Sequence, residues 1–72
     1  MYILTRQKRE DLAIVIATEK YPSLQLLTSL NEFNDVPLRD IKQLANNGTV
    51  KCSYQTNYKI IELTPEIELD ND

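Results

Sequence analysis

The chain has 72 residues, eight basic and eleven acidic, with one cysteine and no histidine. That length holds one small domain. The absence of histidine and of a second cysteine excludes an internal disulfide, Ser-His-Asp and Cys-His catalysis, and the common Cys/His zinc sites. The net charge of −3 divides unevenly. Glu66, Glu68, Asp70 and Asp72 crowd the last seven positions, leaving eight bases and seven acids in residues 1–65. The sequence therefore reads as a near-neutral domain over 1–65 and an acidic C-terminal tail over 66–72.

In chain order, Thr5 caps an expected first helix running to about Lys20, with Leu12, Val15 and Ile16 on its buried face. The competing reading is a strand, because Ala13-Ile14-Val15-Ile16 is β-branched and lacks clean helical spacing. The longest apolar run, Leu12–Ala17, falls far short of the ~20 residues needed to cross a bilayer. It also lacks a leader's cleavage pattern, and with one free cysteine the expected setting is cytoplasmic.

Ser23 precedes Leu26, Leu27 and Leu30, spaced for a short second helix. Asp35 reads as the N-cap of a third helix with Pro37 in its first turn. Leu38, Ile41, Leu44 and Ala45 form its apolar stripe. Gly48, the sole glycine, follows Asn46-Asn47 as the left-handed residue that ends it. Val50, Cys52 and Tyr54 alternate with polar residues, as do Tyr58 and Ile60. Gln55-Thr56-Asn57 is the expected turn of this hairpin, with Asn57 at positive φ.

Three helices followed by a two-stranded antiparallel wing define an α+β winged helix-turn-helix. The stretch from Leu38 through Val50 resembles the recognition helix and wing start of bacterial regulators of the DeoR, IclR and MarR types. Ser23–Leu30 is similar to their bracing helix, and Tyr58–Pro65 to their returning wing strand. The resemblance spans about residues 5–65. It implies a small DNA-binding transcriptional regulator of bacterial or phage type, acting as a homodimer. The helix at about 36–47 would read the major groove of double-stranded DNA. Arg39 and Gln43 share one face for base contacts, with Lys42 and Asn46 beside them. Lys51, Gln55, Asn57 and Lys59 on the 50–63 wing would contact phosphates. The alternative is a protein-interaction module on the same fold, a modulator or anti-repressor that does not itself bind DNA. No phosphate loop, nucleophile elbow or metal-ligand spacing is present, so neither an enzyme nor a cofactor is expected.

Overall fold

The computed structural model describes residues 1–52 and 55–64. Ser53, Tyr54 and the acidic tail lie outside the described residues. Strands β1 (Tyr2–Lys8) and β2 (Asp11–Thr18) come first, then helix α1 (Leu24–Ser29) and a 3₁₀ turn at Asn31–Phe33. Helix α2 (Leu38–Asn47) and strands β3 (Thr49–Cys52) and β4 (Thr56–Glu62) follow. The four strands form one antiparallel sheet in the order β2-β1-β4-β3. This corrects the expected winged helix-turn-helix. The described residues hold two helices and four strands, not three helices and a two-stranded wing.

The expected first helix is a β-hairpin, so the strand reading of Leu12–Ala17 is the one that holds. Branching at Cβ restricts the Ile14-Val15-Ile16 side chains in a helix but suits a pleated surface. Arg9 and Glu10 make a two-residue connection, with Arg9 at φ 58°. Arg9 also donates its backbone N–H to the Gln55 carbonyl at 3.2 Å, tying the tips of the two hairpins together. Gln55 itself stands at φ 60°, whereas Asn57, the residue expected there, is an ordinary member of β4.

Helix α1 starts where expected. The Ser23 hydroxyl accepts the Leu26 N–H at 3.1 Å. It stops at Ser29 because the Thr28 and Ser29 hydroxyls turn back to the carbonyls of Gln25 and Leu26, and the chain leaves helical geometry at Leu30. The N-cap of α2 is Pro37 rather than Asp35, with no side-chain cap. Gly48, at φ 79°, closes α2 as expected.

Both helices pack on one face of the sheet. Leu4, Leu27, Phe33, Ile41, Leu44, Val50 and Tyr58 form the buried core there. Alternation along the strands puts Leu4, Val50, Tyr58 and Ile60 on this face. The same alternation sends Ile3, Thr5, Gln7, Lys59 and Ile61 to the other face, which none of the described helices or loops covers. In β2 a register shift opposite Leu4/Thr5 inserts Val15 as an extra residue. Val15 and Ile16 then both pack toward the core, while Leu12, Ile14 and Ala17 remain on the open side. Leu12 is not the core residue expected of it: it is 66% exposed.

Candidate interaction surface

Two surfaces carry the side chains that could engage a partner: the outer face of α2 and the open face of the sheet. On α2, Ile41 and Leu44 turn inward, which leaves Arg39, Lys42, Gln43 and Asn46 outward and exposed. Those four border a shallow hollow of about 620 Å³. The charge there is modest. Arg39 has the Asp40 carboxylate 3.7 Å away, and Leu38, expected in the buried stripe, is 52% exposed at the same end.

The expected phosphate contacts fall elsewhere. Lys59 and Asn57 lie on the open face of the sheet, on the side away from α2. Lys51 occupies the β3 edge and by register belongs to that face. It also borders a hollow at the start of α2 with Asp35, Arg39 and Asp40. Gln55 sits in the β3–β4 turn. Of the eight residues singled out from sequence, four therefore lie on α2, three on the opposite face of the sheet and Gln55 in the turn. Where Lys51 approaches α2, two acids interrupt the cations. Among the amino-terminal bases, Arg6 is engaged internally: its guanidinium donates to both Glu32 carboxylate oxygens, at 3.0 and 2.8 Å.

The open face is a surface that the sequence reading did not anticipate. Leu12 and Ile14 on β2 are 66% and 63% exposed. Ile3 and Ile61 pair across β1 and β4 beside them and are half-buried. Met1 and Leu63, joined by a 2.7 Å backbone hydrogen bond, lie just beyond that pair, and both are exposed. A hollow of about 480 Å³ crosses the face, bordered by Leu12, Ile61 and Lys59 with Thr5, Gln7 and Asn57. Thr5 is buried at its floor, and its hydroxyl donates to the Lys59 carbonyl at 3.1 Å. The strand residues on this face include Lys51 and Lys59 but no aspartate or glutamate. A period-two reading of residues 2–8 would have separated Ile3, Thr5 and Gln7 from Tyr2, Leu4 and Arg6, but not told which set stays uncovered.

Burial, followed by the nearby Asp40 charge, pushes the Cys52 thiol above its ordinary value, so it stays protonated at neutral pH. The described residues contain no group of three potential metal ligands, and none of their helices is long and apolar enough to cross a membrane. The chain matches no protein-family model, and no curated protein or solved structure proved similar to it.

Proposed function

We propose that this chain is a non-catalytic interaction module that binds a segment of another protein on the open face of its sheet. The observation that carries this reading is the exposure of Leu12 and Ile14 beside Ile3 and Ile61 on a face crossed by a hollow. Contiguous exposed apolar side chains rimmed by polar ones are the ordinary mark of a protein-binding surface. The same atoms would be poor partners for phosphate.

The test is to pan a random-peptide display library on the immobilised chain. Selected peptides are expected to bind the wild type and to lose at least ten-fold in affinity against Leu12→Ser/Ile14→Ser. Equal binding to both proteins overturns the reading.

A second reading, DNA binding, has one observation in its favour: Arg39, Lys42, Gln43 and Asn46 share the outer face of α2. Retardation of mixed-sequence duplex at low salt, abolished by Arg39→Ala and Lys42→Ala, would establish it. No retardation would remove it.

A further inference from the structure

The interaction reading leaves open what kind of segment the face takes. We propose that its partner is an acidic polypeptide segment with interspersed apolar side chains, a deepening that rests on that reading. Charge complementarity carries the argument. Lys59 borders the hollow together with Leu12 and Ile61, and no strand carboxylate on this face answers it; Lys51 stands next to the hollow at the β3 edge, with Asp35 and Asp40 only on its helix side. The cations bonded within the fold are elsewhere: Arg6 is held by Glu32, and Arg39 lies beside Asp40. A partner that spans the face from Leu12 and Ile14 across to β4 and β3 meets two ammonium groups with no carboxylate beside them among the described strand residues, and a desolvated charge without a counter-charge opposes binding.

Three other occupants fit less well. A second copy joined through the same face brings two more lysines and, among its described strand residues there, no acid. A nucleic acid finds no aromatic platform among the described residues of this face, because Tyr2, Phe33 and Tyr58 all lie on the helix side of the sheet. An anionic bilayer is drawn by larger clusters of four to eight cations than the two lysines of this face.

The probes are fluorescein-labelled peptides followed by anisotropy with the full chain: four Glu-Leu repeats, four Lys-Leu repeats and octaglutamate. The wild type is expected to bind the Glu-Leu peptide at least ten-fold more tightly than either other peptide. Lys51→Glu/Lys59→Glu should reverse the preference between the two amphipathic peptides, a readout that misfolding cannot produce. Equal affinity for Glu-Leu and Lys-Leu, both lost in Leu12→Ser/Ile14→Ser, overturns the acidic partner and leaves the interaction reading standing. Binding of all probes unchanged by Leu12→Ser/Ile14→Ser overturns both. Three results overturn the acidic-peptide proposal: octaglutamate binding as tightly as Glu-Leu, partition to phosphatidylserine vesicles without peptide binding, or a sedimenting dimer that Leu12→Ser/Ile14→Ser disperses.

Discussion

The hydroxyl of Tyr58 on β4 donates to Glu32 Oε2 at 2.8 Å, and the same carboxylate accepts both contacts from Arg6 on β1. Glu32 belongs to the 3₁₀ turn between the helices, so this triad pins the helical layer to two central strands. Phe33 adds an edge-to-face contact with the Tyr58 ring at 4.8 Å between centroids. Tyr58→Phe should cost about 1–2 kcal/mol by removing a donor to a charged acceptor. Glu32→Ala should cost more, about 2–3 kcal/mol, because it leaves the buried Tyr58 hydroxyl without its acceptor. Urea melts of the two single variants and the double variant check this. Strict additivity would mean that the hydrogen bond contributes nothing.

The triad also sets how stability responds to pH. Burial acts to raise the Glu32 carboxyl, but hydrogen bonds from Arg6 and Tyr58 and the Arg6 charge outweigh it and hold the group below its usual range. A carboxyl lowered on folding stabilises the fold above its unfolded value, about 4.3. That contribution is lost as pH falls through the lower folded value. Tyr58 moves the other way. Burial first, then its hydrogen bond to Glu32 and the Glu32 charge, push the phenol well above its usual value. Its contribution is complete below about pH 10 and is lost as pH rises beyond that. Melting temperatures across pH should show both limbs. Glu32→Gln should flatten the acid limb, and Tyr58→Phe the alkaline one.

Backbone conformation offers a third test. Arg9 and Gln55 both hold positive φ, at 58° and 60°, which side-chain-bearing residues adopt at a cost of about 1 kcal/mol. Gln55→Gly should therefore leave stability level or raise it by up to about 1 kcal/mol, the gain being limited by glycine's greater unfolded-state freedom. Gly48→Ala should cost about 1–2 kcal/mol. A Cβ at Gly48 would meet the Tyr21 hydroxyl at 3.7 Å, an ordinary contact, so backbone strain accounts for the loss. Denaturant midpoints decide the matter, and a large loss in Gln55→Gly would contradict the turn.

Leu12 and Leu27 provide a contrast within one residue type. Leu27 is 0% exposed and Leu12 66%. Leu27→Ala should cost about 2–5 kcal/mol through lost burial and the cavity left behind. Leu12→Thr should stay within about 0.5 kcal/mol of wild type. Equal losses would mean that β2 does not lie at the edge with Leu12 facing solvent.

Much of the chain after residue 22 is legible from local signals. Ser23 caps a helix, the Ile41 and Leu44 spacing buries one face of α2, Gly48 ends it, and the β3–β4 hairpin follows. Each signal acts within a few residues and needs no distant partner. The segment before it misleads because Arg9-Glu10 lacks the Gly, Asn or Pro that usually marks a tight turn. The polar residues flanking Leu12–Ala17 also fit an amphipathic helix. Its left-handed turn residue is held by a hydrogen bond to Gln55, far away in sequence. The expected DNA surface joined Arg39 and Lys42 to Lys59 because all three are polar positions in adjacent elements. Strand alternation turns Lys59 away from the helices, and only the pairing of β4 with β1 decides which way that alternation faces.

By itself, the sequence determined one small domain without histidine chemistry or an internal disulfide, with a helix ended by Gly48 and a hairpin after it. These follow from composition and from interactions between near neighbours. Only the tertiary structure decided that the amino-terminal third is a hairpin, that its β1 joins β4 at the centre of a sheet, and that both helices share one side. Those outcomes depend on long-range pairing and on the Arg6–Glu32–Tyr58 contacts. They also leave Leu12, Ile14 and Lys59 together on a face that no local pattern reveals, because a residue's facing is set by the strand beside it rather than by its neighbours in the chain.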